Sequence, residues 1–162
     1  SEESRKGTRY IITALEPLRA HYPGLHFSFF GVYPRPASLP EWVQYYQKPT
    51  NLAALYNQHA IFLSASLGEG WALPPAEAMA CGCAVVCTDI GGHADYTKAN
   101  ETALLIPTEN TTAIITALTT LFDNKALRIQ LAEKSRFQLL EKFNWDQSVT
   151  TALNWFDSLQ KG

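Results

Sequence analysis

Apolar residues near the start of the chain recur every three or four positions, as they do on the buried face of a helix. The pattern is carried by Tyr10, Ile11, Ala14, Leu15 and Leu18. It predicts an amphipathic helix over residues 8–20. The same period returns in the last third of the chain. It predicts helices there over residues 111–123, 125–142 and 145–159.

Short runs of β-favouring residues alternate with helical segments through the middle of the chain. Each run predicts a strand, and together they cover residues 25–30, 42–46, 61–64, 84–87 and 103–106. The proline-rich stretch 31–40 predicts a loop. Strands that alternate with helices at such short intervals indicate parallel βαβ units and a doubly wound α/β sheet. In such a sheet, ligands bind beyond the carboxyl ends of the strands.

Residues that favour helix ends predict two shorter helices. Asn51 can cap a helix of about two turns. Pro74 and Pro75 suit the first turn of another helix, which Gly82 would end. On the last helix, three aromatic residues are expected to pack: Trp145, Trp155 and Phe156. The alternative is that part of this aromatic surface is exposed, because the helix crosses towards another domain.

The composition of the chain is that of a globular protein. Its 162 residues suit one domain, and 46% hydrophobic with 17% charged residues argues against long disordered segments. A net charge of −2 gives no electrostatic signature of nucleic-acid or anionic-membrane binding. No apolar run approaches the roughly 20 residues that span a bilayer. The first residues, Ser1 to Gly7, are polar and lack the apolar core expected of a signal peptide.

The three cysteines, Cys81, Cys83 and Cys87, lie within seven residues. An odd number at this spacing does not suit a disulfide framework and indicates a reducing compartment, so we expect a cytoplasmic protein. A metal site is the weaker alternative, because no histidine lies within five residues of the cluster and the last cysteine falls in a strand. We therefore expect small buried thiols and no metal.

The stretch Glu69-Gly-Trp-Ala-Leu-Pro-Pro-Ala-Glu77 carries the candidate chemistry. It joins a strand to a helix, so its loop amides and the helix N-terminus offer N–H groups to phosphate oxygens. Carboxylates would repel phosphates and are better explained as acceptors of hydrogen bonds from hydroxyls. A nucleoside diphosphate sugar offers both kinds of group. From spacing alone, a simpler alternative is slightly favoured, in which Glu69 is solvated and Glu77 stabilises the helix dipole.

Residues 60–82, which read AIFLSASLGEGWALPPAEAMACG, resemble the Glu-x7-Glu region of retaining glycosyltransferases of family 4, also called group 1. Residues 84–92 and 103–107 and the helical tail with Asn144-Trp-Asp146 are also similar to that family. The resemblance extends from Arg5 to about Phe156. Its most specific part is the Glu-x7-Glu block with its Glu-Ala-Met-Ala-x-Gly ending.

This resemblance implies the GT-B arrangement, in which two Rossmann-like domains face each other across a cleft. The chain is similar to the C-terminal, donor-binding domain alone, so residues 1–162 are expected to form a single nucleotide-sugar-binding domain of a larger enzyme. The domain's first strand, and an arginine that pairs with the lysine, are expected to precede Ser1. Acceptor binding, and any peripheral membrane contact, would belong to the N-terminal domain of the same polypeptide. The isolated domain is expected to bind nucleotide weakly and to transfer nothing.

The resemblance also implies roles for individual residues. Glu69 would contact hydroxyls of the donor sugar near the reacting carbon, and Glu77 would bind the ribose hydroxyls. Lys6, with Arg5 beside it, would hold the diphosphate and offset the charge that develops on the leaving group. Further donor contacts are implied for the amides of Gly70, Trp71 and Ala72, for Leu73 and Pro74 by packing, and for Gln47 at the nucleobase. The donor would be linked to UDP, GDP or ADP, with no cofactor.

The sequence departs from the family's pattern at several positions. Trp71 and Ala72 stand where Phe and Gly are usual, and Asp95 stands where Glu is more common. The loop after residue 31 is short for the family, and a helix is expected to be lost there. His93 is a candidate proton donor near the phosphates, although loop histidines are more often surface groups.

Two other functions fit the residues less well. A glycoside hydrolase would use Glu69 and Glu77 as acid and nucleophile. This function does not explain the expected phosphate site at the N-terminus of the helix. A catalytically silent binding or scaffold subunit would keep the fold and lack turnover.

Overall fold

The computed structural model describes residues 4–160. Its helices are α1 Thr8–His21, α2 Leu52–Tyr56, α3 Leu73–Ala80, α4 Thr111–Asp123, α5 Lys125–Lys142 and α6 Trp145–Gln160. Its strands are β1 Ser28–Gly31, β2 Gln44–Gln47, β3 Ile61–Ser64, β4 Ala84–Thr88 and β5 Ala103–Ile106. A 3-10 turn at Ser4–Lys6 precedes α1, and a second one, Gly91–His93, follows β4.

All of these strands pair in parallel, and they fall into two groups. β1 pairs with β2, from Ser28 opposite Gln44 to Gly31 opposite Gln47. β4 lies between β3 and β5. Within residues 4–160, β1 and β3 do not pair with each other, and both line a cavity of about 1370 Å³. We call this space the β1–β3 gap.

Helices cover both faces of the sheet, and β4 shows how its sequence permits this. All five residues of β4 are buried. Ala84 and Val86 pack into a cluster with α1 and α4, whereas Val85 and Cys87 pack into a second cluster with α3. Successive side chains of a strand point to opposite faces, so the apolar run from Ala84 to Cys87 packs against both helical layers. The predicted doubly wound α/β fold is confirmed.

Two predicted strands begin later than expected. The run 25–30 forms a strand only from Ser28, because Leu25 still belongs to the turn after α1, where its amide donates to Tyr22 O. The run 42–46 forms a strand only from Gln44, because the amide of Val43 donates to Pro40 O. Turn hydrogen bonds at the start of each run therefore override its β propensity.

Asparagine side chains cap the first turns of four helices within residues 4–160, and at α6 Asn144 Oδ1 accepts from the amide of Asp146 at 2.9 Å. Asn51, Asn110 and Asn124 each accept a hydrogen bond from the amide three residues later, at 2.9, 2.8 and 2.9 Å. Each bond satisfies one of the amides left free in a first helical turn and contributes about 1 kcal/mol. α3 instead has Pro74 and Pro75 in its first turn. It is followed by Gly82 with φ of 84°, as the sequence predicted.

The cysteines are not arranged as a metal or disulfide site. Cys83 and Cys87 are buried, and burial raises the pKa of each thiol to about 12. These thiols therefore act as small hydrophobic side chains, as expected. Among the described residues, no group of three metal-binding side chains occurs.

α6 differs from the other long helices because its apolar side chains are not packed. Trp145 is 84% exposed, and Trp155 and Phe156 are more than half exposed. The expectation that these aromatic residues pack was therefore wrong within this chain. Trp155 and Phe156 contact each other, with ring centroids 5.2 Å apart. No helix within residues 4–160 has the length and hydropathy needed to cross a membrane.

Candidate functional site

The loop between β3 and α3, residues 65–72, is held against the 3-10 turn that follows β4. Thr88 Oγ1 donates a hydrogen bond of 2.6 Å to Ser66 O. The amide of Ala72 donates to Gly92 O at 3.2 Å. Gly92 lies so close to the loop that a Cβ there would be 2.5 Å from Glu69 O. The two loops are therefore locked together, and only glycine fits at position 92.

The N-terminal segment Ser4–Gly7 packs against the same loop. The amide of Leu67 donates to Arg5 O at 2.7 Å. Gly7 has φ of 65°, and a Cβ there would lie 2.0 Å from Ala65 O. A side chain is excluded at Gly7 both by this contact and by the left-handed backbone. This packing brings Arg5 and Lys6 to the carboxyl end of β3.

Arg5, Lys6 and Glu69 form a charged cluster at this edge. Lys6 Nζ lies 2.7 Å from Glu69 Oε1, and Arg5 Nη1 lies 2.8 Å from Glu69 Oε2. Arg5 Nη1 also donates to Gly68 O at 2.9 Å. The cations are about half exposed, whereas the Glu69 side chain is only 11% exposed. The structure thus brings together three residues that the sequence placed at the donor's sugar and diphosphate.

The ionisation of Glu69 follows from these contacts. Partial burial acts to raise the pKa of Glu69, but hydrogen bonds from Lys6, Ser66 and Arg5 outweigh it, and the net pKa is lowered. A general acid of a glycosidase needs a raised pKa so that it carries a proton near neutral pH. Glu69 is therefore unsuited to act as that acid.

Glu77, in the middle of α3, is held by Tyr56 at the end of α2. Tyr56 Oη donates to Glu77 Oε2 at 2.9 Å, and the Tyr56 side chain is buried. Burial, together with the hydrogen bond to Glu77, raises the pKa of Tyr56, so its hydroxyl keeps its proton and remains a donor. Tyr56 was not among the predicted site residues. Because it contacts Glu77 across 21 positions of sequence, no local spacing indicated its role.

The amides at the start of α3 are fewer than the sequence implied. Pro74 and Pro75 have no N–H, and the amide of Ala72 is taken by Gly92 O. The expected donation from Ala72 to a ligand stays a prediction, which requires this hydrogen bond to open. The amides of Gly70 and Trp71 form no backbone hydrogen bond within the described part of the chain. Those two amides are available to an anion.

Trp71 and Asp95, two departures from the family's usual residues, contact each other. Trp71 Nε1 donates to Asp95 Oδ2 at 3.1 Å. The indole ring also meets Tyr96 and Phe143 edge to face, with centroids 5.0 and 5.5 Å away. Trp71, which is larger than the usual Phe, and Asp95, which is shorter than the usual Glu, are therefore joined directly by a hydrogen bond.

His93 is buried, which contradicts its description as a surface group. Its side chain is 1% exposed, and Nδ1 lies 2.8 Å from Thr88 O. A carbonyl oxygen only accepts, so Nδ1 carries the proton. Nε2 is buried and has no hydrogen-bond partner among the described residues. Because Nε2 is closed off from solvent, His93 does not face an open ligand site in this conformation.

The remaining predicted positions lie at the margin of the cluster. Leu73 is exposed, and Pro74 lines the β1–β3 gap together with Lys6 and Glu69. Gln47 is exposed at the carboxyl end of β2, in the other group of strands. It lies at the same edge of the fold, and within the described structure it forms no hydrogen bond with the cluster.

Comparison with known proteins identifies the family. A family model described as "Glycosyl transferases group 1" matches residues 1–124. The chain belongs to the group 1 glycosyltransferases. The stretch carrying Glu69 and Glu77 lies within the matched part.

Two curated relatives support the same assignment. The chain is 24% identical over 127 residues to the lipopolysaccharide core biosynthesis mannosyltransferase LpsB of Rhizobium meliloti (strain 1021), which covers 77% of the chain. It is 30% identical over 103 residues to the D-inositol 3-phosphate glycosyltransferase of Rhodococcus opacus (strain B4), which covers 64% of the chain. The matches span only 36% and 23% of the lengths of these relatives.

Solved structures of glycosyltransferases share the fold. Sucrose-phosphate synthase from Thermosynechococcus elongatus matches 98% of the chain with a TM-score of 0.84, at 22% identity and 43% of its own length. Anabaena HepE in complex with UDP-glucose matches 99% with a TM-score of 0.80, at 16% identity and 46% of its length. The C-terminal domain of LpcC from Francisella tularensis matches 88%, with a TM-score of 0.78, at 23% identity and 82% of its length. The chain therefore has the fold of the C-terminal, Rossmann-like half of a group 1 GT-B glycosyltransferase.

Proposed function

We propose that the chain is the donor-binding domain of a glycosyltransferase that uses a nucleoside diphosphate sugar and retains the configuration of the transferred sugar. The observation that carries this proposal is the cluster of Arg5, Lys6 and Glu69 beside the start of α3. It places cations suited to a diphosphate next to a carboxylate suited to sugar hydroxyls. The cluster lies at the carboxyl edge of a parallel sheet, where such folds bind ligands.

The residues would divide the donor between them. Lys6 and Arg5, with the amides of Gly70 and Trp71, would hold the diphosphate and stabilise the negative charge that develops as it leaves. Glu69 would hold sugar hydroxyls near the reacting carbon. Glu77 would accept hydrogen bonds from the ribose, and Gln47 would approach the base. Retention requires the acceptor to attack the face of the sugar from which the diphosphate departs, and Glu69 would hold the sugar for this front-face attack.

The other half of the active site is proposed to lie in an N-terminal, acceptor-binding domain of the same polypeptide. The chain spans less than half the length of either curated relative. The exposed apolar side chains of α6 fit contact with another domain. We place the reaction in the cytoplasm, which agrees with three cysteines that form no disulfide.

Calorimetric titration of the full-length protein with UDP, GDP and ADP tests donor binding. We expect one of the three to bind, and uridine is the first choice because a neighbour in fold was solved with UDP-glucose. Lys6→Ala should weaken that binding about 10-fold or more, because a hydrogen bond to a charged group contributes roughly 1.5–3 kcal/mol. Lys134→Ala, which removes a lysine paired with Glu101 on another surface, should leave it unchanged. Failure of all three nucleotides to bind would overturn the proposal.

Turnover separates this function from the alternatives. Full-length protein supplied with the matching donor and an acceptor should form a glycoside, and Glu69→Gln should reduce the rate. A scaffold subunit would show no transfer with either form. A hydrolase would cleave an unactivated glycoside. Glu69 is a poor general acid for that reaction, because its pKa is lowered.

A further inference from the structure

The charged cluster contains a conflict between its geometry and the roles proposed for its residues. Both carboxylate oxygens of Glu69 accept hydrogen bonds from cations, Oε1 from Lys6 and Oε2 from Arg5. In the proposed roles, a sugar hydroxyl would need Glu69 as its acceptor, and a diphosphate would need Arg5 and Lys6 as its donors. In the structure, these three side chains are bonded to one another instead. A donor could therefore engage Glu69 and the two cations only if these pairings were broken.

The pairing of Glu69 is more enclosed than an ordinary surface ion pair. The Lys134–Glu101 pair has both side chains about half exposed, whereas the Glu69 side chain is 11% exposed beneath its two cations. The lowered pKa of Glu69 keeps it charged at neutral pH, so the pairing persists where the enzyme works. Glu69 is held in place by the loop contact with Gly92, and Arg5 by its contacts with Leu67 and Gly68.

We propose that Glu69 and the donor's diphosphate compete for Arg5 and Lys6, so that Glu69 is released to the sugar only when a diphosphate takes over the cations. This inference rests on the proposed function. It adds a specificity role for Glu69, which is discrimination between an intact donor and the free nucleoside diphosphate.

The discrimination follows from what each ligand offers to Glu69. Binding of a free nucleoside diphosphate separates the carboxylate from its cations and supplies no hydroxyls in exchange. An intact donor supplies sugar hydroxyls at the position where Glu69 is released. Glu69 therefore lowers the affinity for the free diphosphate, which is the product, and favours its release after transfer.

The test compares Glu69→Gln with the wild-type full-length protein by calorimetry, using the nucleoside diphosphate selected above and its sugar conjugate. We expect affinity for the free diphosphate to rise about threefold, which corresponds to the upper part of the range for partly exposed ion pairs. Affinity for the conjugate should not rise, so the preference for the intact donor should shrink by at least the same factor. Unchanged or weaker binding of the free diphosphate would overturn the inference.

Control variants separate this role from simple damage. Glu101→Gln removes one negative charge and one lysine pair on a remote surface, and it should change neither affinity. Glu69→Ala also removes the charge and should raise the affinity for the free diphosphate like Glu69→Gln. If wild-type protein binds no nucleoside diphosphate, the proposed function itself fails. If it binds and Glu69→Gln binds no more tightly, only the competition is refuted.

Discussion

Tyr56 illustrates how much of the site depends on residues that do not face the proposed ligand. Its buried ring meets Phe30 and Phe62 edge to face, with centroids 5.8 and 5.7 Å away, and its hydroxyl reaches Glu77. One carboxylate oxygen of Glu77 is thereby held, which leaves the other for the hydrogen bond that we propose from a ribose hydroxyl. We regard Tyr56 as a residue that positions Glu77.

Replacing Tyr56 with phenylalanine removes this hydrogen bond and keeps the ring. We expect Tyr56→Phe to raise the donor KM about 2- to 10-fold with little change in kcat, because a hydrogen bond of this type contributes roughly 1 kcal/mol. Steady-state kinetics of the full-length protein would measure this. Tyr22→Phe is the matched control, because it removes a tyrosine–carboxylate bond of 2.8 Å to Asp123 at the far end of α1. An equal rise of the donor KM in Tyr56→Phe and Tyr22→Phe would contradict a specific role for Tyr56.

At the scale of elements, the site depends on one loop, one 3-10 turn and the segment before α1, which pack closely against one another. The loop 65–72 is fixed by the 3-10 turn after β4 and by the segment before α1. Glycines stand at both contacts, at Gly7 and Gly92, where a side chain would meet backbone atoms. Loops at the carboxyl edge thus gain the rigidity that a preorganised site requires.

Gly92→Ala tests this locking. A Cβ at position 92 would lie 2.5 Å from Glu69 O, so the loop must shift. We expect Tm to fall by roughly 2–10 °C, because overpacking costs about 1–3 kcal/mol, and nucleotide affinity to fall with it. Thermal denaturation and calorimetry measure the two effects. Gly91→Ala is the adjacent control, since a Cβ there meets nothing within 4 Å. Equal Tm values for the two variants would count against the locking.

For the whole molecule, the β1–β3 gap is the main feature that the chain leaves open. β1 and β3 are parallel to their neighbours and line the same cavity of about 1370 Å³. Ser4 and Lys6 line its edge at the carboxyl end of β3. A strand that ran through the gap in parallel would lead directly into Ser4 and α1, which gives the βαβ crossover common to such sheets.

We therefore expect an apolar strand of about five residues, joined ahead of Ser1, to fill the gap and stabilise the fold. Burial of even three of its side chains would contribute about 4 kcal/mol or more, which corresponds to a Tm increase of roughly 10 °C. Thermal denaturation of the 162-residue chain with and without this extension measures the effect. An extension of the same length with serine at the apolar positions is the control. Equal stabilisation by both extensions would argue against strand insertion.

Much of the fold could be predicted from the sequence, because its signals are local. The periodicity of apolar residues predicted α1, α4 and α5 to within about one residue. The apolar run 84–87 predicted β4, and the structure shows that this strand is buried on both faces. The starts of β1 and β2 were missed, because turn hydrogen bonds compete with β propensity there. The packing expected for the aromatic residues of α6 was wrong, because an apolar helical face does not reveal what covers it, whereas the alternative of exposed aromatic surface agrees with the structure.

The sequence by itself determined the order and type of the elements and the residue types of the candidate site. These signals, which are periodicity, turn residues and the Glu69–Glu77 stretch, each lie within a short segment of sequence. They can therefore be recognised without the tertiary structure. Only the tertiary structure decided which groups meet. The pairing of Glu69 with Arg5 and Lys6 spans 63 or 64 positions, and the contact of Tyr56 with Glu77 spans 21. Such contacts depend on how strands align and loops pack, and that alignment brings together groups that no local pattern connects.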